Sequence, residues 1–107
     1  MSPDDMLFLL MEWQRTDIKM TNRMSFRDLK RLTKYIDVNF FIDQCCFYNC
    51  NNPAFYFNGK KVILTRLLYI NYIGPLDKTH RIRRLCGETD CVTPGHLEKV
   101  LLKKYLD

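Results

Sequence analysis

Met6, Leu7, Leu9, Leu10, Met11 and Trp13 fall within one short stretch and would be apolar around much of a helix's girth. Ser2-Pro3-Asp4-Asp5 supplies the start of that helix: a cap, a proline in the first turn, then acids at the positive end of the dipole. A helix so apolar packs into a core or docks on another chain. Residues 16–23 are polar and read as a connector. Ser25 opens a second helix, with Asp28 three residues on completing a capping box. Phe26, Leu29, Leu32 and Ile36 recur at helical spacing and mark its buried stripe. Arg27, Lys30, Arg31 and Lys34 lie largely away from that stripe.

The period then changes. Residues 38–48 carry Phe40, Phe41, Ile42, Phe47 and Tyr48 and predict a strand. Cys50-Asn51-Asn52-Pro53 reads as a turn. Phe55-Tyr56-Phe57 and Lys61-Val62-Ile63-Leu64 predict short strands joined by Asn58-Gly59, a strong hairpin signal. Residues 65–73 predict a helix, stopped by a left-handed Gly74 with Pro75 beyond it. A loop over 76–80 leads to a short strand over 82–85. A last helix is expected from Thr93-Pro94 through Leu97, Val100, Leu101, Leu102 and Tyr105, with Lys103 and Lys104 near its negative end. The expected class is α+β, a single domain over residues 1–107 with a helical part over 1–40 and a second part over 41–107.

A domain of 107 residues buries a modest fraction of its surface and gains from a disulfide or metal staple. The acidic start and the apolar run broken by Glu12 fit neither a signal peptide nor a membrane span. An intracellular setting is expected, where thiols stay reduced and five cysteines serve a metal rather than disulfides. The net charge of +5 favours an acidic partner such as nucleic acid, mildly. The second helix's basic face, Arg27, Lys30, Arg31 and Lys34, fits a phosphate backbone, although such faces are more often simply solvated.

The stretch "RRLCGETDCVTPGHLEKV" carries the chemistry. A structural zinc ion takes four thiolate or imidazole ligands in a tetrahedron. Cys86-x4-Cys91-x4-His96 offers three, with turn-forming Gly87, Glu88, Thr89 and Asp90 between the sulfurs. The fourth must come from Cys45, Cys46 or Cys50. Cys45 and Cys46 would point to opposite faces of a strand, so at most one can serve the same ion, and Cys45 is the choice. Cys45-x4-Cys50 echoes Cys86-x4-Cys91, which keeps a four-cysteine site of Cys45, Cys50, Cys86 and Cys91 open.

Residues 43–99, with "CCFY", "NGKKV", "TRLLYINYIG" and "RRLCGETDCVTPGHLE", resemble the zinc-binding HNH, or His-Me finger, homing endonucleases. The resemblance covers about half the chain, and Cys86, Cys91, Pro94, His96, Leu97 and Glu98 are its most specific part. It implies a ββα-like half, one structural zinc held by Cys45, Cys86, Cys91 and His96, and a strand laid against DNA. Cys45 matches the family's upstream cysteine if Tyr48 replaces its usual tryptophan. The chemistry departs from the pattern. Arg84 stands where the family has its general-base histidine, and an arginine stays protonated. The final segment has no Asn or His beyond His96 for a catalytic Mg²⁺, and Thr65 replaces another family histidine. His80, six residues before Cys86, reads as an exposed loop residue.

The expected function is therefore a non-catalytic, zinc-stabilised module that binds nucleic acid or belongs to a nucleic-acid-processing assembly, a viral transcription complex being one such setting. Lys78, His80, Arg81, Arg83 and Arg84 form a cationic ridge before the metal loop; its arginines can grip phosphates without cutting them. The main alternative is a protein–protein adaptor that docks through its terminal helices, which requires Met6, Leu10, Trp13 or Leu106 to be exposed. A further alternative, a metal-dependent nuclease, requires His80 or a carboxylate at the zinc-side cleft. No membrane and no small-molecule substrate is expected.

Overall fold

The computed structural model describes residues 1–48 and 54–105, with the backbone alone at Ala54. The expected turn at Cys50-Asn51-Asn52-Pro53 lies outside the described residues, as does Leu106. Three helices and two antiparallel hairpins make an α+β arrangement.

Helix α1 (Pro3–Trp13) starts where the cap predicts: Ser2 Oγ accepts from the Asp5 N–H, and the Asp5 carboxylate accepts from the Ser2 N–H. Helix α2 (Phe26–Leu32) repeats the device with Ser25 and Asp28. Its stripe is buried at Leu29, Leu32 and Ile36, but Phe26 is exposed. Phe26 is the first residue after the cap, ahead of the turn that meets the core.

Residues 38–48 do not form the expected strand. Asp37 accepts from the Asn39 N–H and starts a short 3₁₀ turn, Val38–Phe41. The aromatic density that suggested a strand serves packing instead: Phe40 meets Tyr72 edge-on, and Phe41 meets Trp13 in the same way. Strands β1 (Ala54–Phe57) and β2 (Lys60–Ile63) form the first hairpin. Its turn holds Asn58 at φ 52° and Gly59 at φ 76°, the left-handed pair that an Asn-Gly hairpin requires.

Helix α3 (Leu64–Tyr72) is the central element, burying Leu64, Leu67, Leu68, Tyr69 and Asn71. It ends through Ile73 in right-handed geometry, and Gly74 is not left-handed. The N–H groups of Ile73 and Gly74 both return to the Tyr69 carbonyl, which closes the helix without a positive φ.

The largest departure is at the C-terminus. Strand β3 (His80–Arg84) pairs with β4 (Leu97–Leu101), in register from His80–Leu101 to Arg84–Leu97. The expected last helix is only a 3₁₀ turn at Pro94–His96, then strand β4, then a second 3₁₀ turn at Lys103–Tyr105. The run Leu97, Val100, Leu101 fits helical spacing, yet such short apolar runs do not fix their own period. Pairing with β3 decides it: burial falls from Leu97 to Glu98 and Lys99, rises at Val100 and falls again at Leu101.

One apolar cluster runs through these elements. Met6 and Leu10 of α1, Leu29 and Leu32 of α2, Leu67 and Leu68 of α3, and Val92 and Leu97 beside the cysteine loop all belong to it. The N-terminal helices therefore dock on the rest of the chain. Asn71, with 0% exposure, anchors that docking. Its Oδ1 accepts from Gln14 Nε2 at 2.8 Å and from the Met24 N–H at 3.0 Å. Its Nδ2 donates to the carbonyls of Asn22 and Leu67. Every polar site of the amide is used, so its burial costs little.

Candidate metal centre

Strand pairing brings the loop between β3 and β4 back on itself. Gly87, at φ +76°, makes the sharp bend after Cys86 that a side chain would resist. The Gly87 N–H donates to the Arg84 carbonyl, the Cys91 N–H to Glu88, and the His96 N–H to Thr93. Arg84 Nε donates to the Cys91 carbonyl at 2.7 Å and pins the returning strand.

Cys45 reaches this loop by a second set of bonds. The Val92 N–H donates to the Cys46 carbonyl and the Tyr48 N–H to Asp90, and Phe47 bridges Cys91. Thr93 Oγ1 accepts from the Cys46 N–H and donates to the Gln44 carbonyl. Two adjacent cysteines are thereby sent opposite ways. Cys46 is fully buried in the core, its Sγ meeting the Asp37 N–H, and burial pushes its thiol up to about 11. Cys45 faces the loop.

The ligand atoms of Cys45, Cys86, Cys91 and His96 all lie within 4.8 Å of one another, and this cluster could hold a metal ion. His96 Nδ1 stands 3.6 Å from Cys45 Sγ and 3.5 Å from Cys91 Sγ. For metal–sulfur bonds of about 2.3 Å and metal–nitrogen bonds of about 2.0–2.1 Å, the S···N edge of a tetrahedron is about 3.5–3.6 Å. The observed separations match that edge. The far nitrogen, Nε2, meets Asp43 Oδ1 at 3.0 Å, the carboxylate–histidine contact that fixes the ring of a metal ligand.

The protons of the cluster are unevenly shared. Hydrogen bonding with Cys91, then burial and Cys86, pushes the Cys45 thiol up to about 12. Burial raises Cys91, but the Thr93 N–H, Cys45, the Thr93 hydroxyl and His96 outweigh it and bring it to about 7. Burial lowers His96, but Cys91, Cys86 and Asp43 outweigh it and lift the imidazole to about 9. A metal cation competes with these protons, since its ligands must be thiolates and a neutral imidazole.

All four residues read from the sequence as ligands thus meet. Cys50, the alternative, lies outside the described residues. His96 sits in a 3₁₀ turn, not in the first turn of a helix as expected. Asp43 and Thr93 were not singled out from the sequence, and their only signal is position, two residues before Cys45 and one before Pro94.

The expected basic residues divide. Arg83 is paired with Glu98 at 2.6 Å, and Arg84 is spent on the Cys91 carbonyl. Arg31 pairs with Asp28, donates to the Tyr56 carbonyl and stacks on the Phe55 ring. The side chains of Arg27, Lys30, Lys34 and Arg81 are exposed. His80 begins β3 rather than lying in the loop, and its Nδ1 meets Asp77.

No family model matches the chain, and no solved structure matches it. An uncharacterized protein of Acanthamoeba polyphaga mimivirus is 34% identical over 108 residues. The match covers 89% of this chain, which spans only 32% of the length of that relative. Among the described residues no helix is long and apolar enough to cross a membrane.

Proposed function

We propose that the chain is a non-catalytic module stapled by one structural zinc ion, and that it binds nucleic acid within a larger assembly. The cluster of Cys45, Cys86, Cys91 and His96 carries the reading. Three thiols and one imidazole suit zinc better than the hard cations, which take oxygen ligands. Four protein ligands close the coordination shell, the arrangement of a structural rather than a catalytic ion. The order strand, metal loop, strand agrees with the likeness to His-Me finger nucleases, although only a 3₁₀ turn follows among the described residues.

A nuclease reading is weaker. His80 and the metal loop occupy opposite ends of β3, four residues apart, or about 13 Å along an extended strand. Arg84 takes the place of the expected base and cannot accept a proton.

The nucleic-acid reading rests on the basic charge and on cations that no acid neutralises among the described residues. The adaptor reading finds support on α1, where Phe8, Met11 and Trp13 are exposed. Trp13 is 47% exposed at a cavity of about 440 Å³ that Phe41, Ile42 and Ile73 also line. Met6 and Leu10, by contrast, are buried within the chain.

Elemental analysis of the chain purified without chelator tests the first part, with one zinc per chain expected and none after Cys86→Ser with Cys91→Ser. Zinc-free folded protein would overturn it. Salt-dependent binding of labelled DNA or RNA by the full chain tests the second. Arg83→Ala with Arg84→Ala is a poor probe, because both side chains have structural partners.

A further inference from the structure

The free cations before the metal loop are not arranged as a ridge along β3. They gather with a residue of α3. Arg66, in the first turn of α3, donates to the carbonyls of Asp77 and His80, which ties it to the segment entering β3. A guanidinium has five N–H donors, so these two bonds fix its plane and leave others for a ligand. A cavity of about 370 Å³ opens beside it, lined in part by Thr65, Arg66, Lys78, His80 and Arg81, with no carboxylate in its wall among the described residues.

Among the described residues the Lys78 and Arg81 side chains have neither an ion pair nor a hydrogen bond. Asp77, next to Lys78 in the chain, is occupied by Thr79 and His80. Thr65 is only 6% exposed, and its hydroxyl has no hydrogen-bond partner among the described residues. Thr65 lines the cavity. Helix α3 also begins without a side-chain cap.

We propose that this cavity seats a phosphate of a nucleic-acid backbone, with Arg66, Lys78 and Arg81 neutralising it and the Thr65 hydroxyl donating to it. The proposal rests on the nucleic-acid reading above. Donors converge here from a helix, a loop and a strand, which suits a tetrahedral anion with acceptor oxygens on several sides.

Fluorescence anisotropy of the full chain with a labelled mixed-sequence duplex DNA, and with its RNA counterpart, provides the test. Lys78→Ala with Arg81→Ala removes two exposed side chains that support nothing in the fold. It should weaken binding on the order of tenfold or more and flatten the slope of log affinity against log salt by about two. Thr65→Val keeps the shape of the side chain and should weaken binding about fivefold. The α2 pair, Lys30→Ala with Lys34→Ala, should have the smaller effect. Binding that resists the Lys78 and Arg81 changes but is lost with the α2 pair overturns this placement and leaves the nucleic-acid reading standing. Wild-type protein that binds neither probe at low salt overturns both.

Discussion

Asn71 and His96 each gather partners from distant parts of the chain, and they do so by opposite physics. Around Asn71 the donors and acceptors already match: Gln14, Met24, Asn22 and Leu67 satisfy the amide completely in a site with no exposure. Around His96 the groups resemble one another, three sulfurs and an imidazole, all of them better acceptors than donors once deprotonated. The first junction is complete in itself. The second should gain most when a cation stands among the thiolates. The half of the molecule built on α1, α2 and α3 should therefore hold on burial and hydrogen bonds, and the β3–β4 half should depend on an ion.

Removing the metal should have the largest effect. Structural zinc contributes about 10–16 kcal/mol of apparent binding free energy in small zinc-finger peptides. Even a fraction of that exceeds what one hydrophobic contact provides. A strong chelator should abolish amide-exchange protection in β3, β4 and residues 44–48 while protection in α3 outlasts it. Cys86→Ser with Cys91→Ser should do the same without chelator. Simultaneous loss of protection in α3 and β4 would break the comparison, making the chain one cooperative unit.

Asn71→Ala should come next, at about 3 kcal/mol, because it leaves Met24 N–H and Gln14 Nε2 without their buried acceptor. Denaturant unfolding measures the loss. Elemental analysis should show the metal content unchanged, since no contact of the amide reaches the cluster.

How much of this was legible in the sequence follows the range of the forces. The Ser2 cap, the Ser25–Asp28 capping box and the Asn58-Gly59 hairpin were readable because each is closed by residues within a few positions. Cys86, Cys91 and His96 were readable as one group because cysteine and histidine have few other uses at that spacing, whereas Cys45 was chosen on the alternation of a strand that does not form. The strand expected over 38–48 and the helix expected after Pro94 failed for a shared reason. Each was read from short apolar runs whose period is set by a distant partner, α3 for Phe40 and β3 for Leu97–Leu101. The Asn71 junction left no local trace, because its partners lie up to 57 residues away. The cationic residues looked alike in sequence. Only their partners separate Arg31, Arg83 and Arg84, which are spent within the fold, from Lys78 and Arg81.

Asp43→Asn sharpens the comparison from the metal side. The carboxylate touches the fold through His96 Nε2 and is 91% exposed, so its loss should barely affect packing. Metal affinity should nonetheless fall about 10–100-fold, the usual cost of losing such a partner. Competition with a chromogenic chelator reads it directly. An unchanged affinity would mean that the ring is held by the Thr93–His96 turn alone.

The smallest expected effect tests the opposite side. Ser25→Ala removes the hydroxyl that accepts from the Asp28 N–H at the start of α2 and should cost about 1 kcal/mol. Metal affinity should not change. The same box has a pH signature. Burial raises Asp28, but the Ser25 N–H, Arg31 and the Ser25 hydroxyl outweigh it and hold the carboxyl below its ordinary 3.8. A depressed folded-state value means that this contribution is fully present above the unfolded value and is lost as pH falls below it. The wild-type chain should lose part of its α2 stability below about pH 4, and Asp28→Asn should remove that part of the dependence. Protons also compete with a metal ion at the cluster, whose ligands must be thiolates and a neutral imidazole. Acidification should therefore release the metal and loosen α2 in two separable steps. Metal release and helix loss at one common pH would show that the two junctions are coupled.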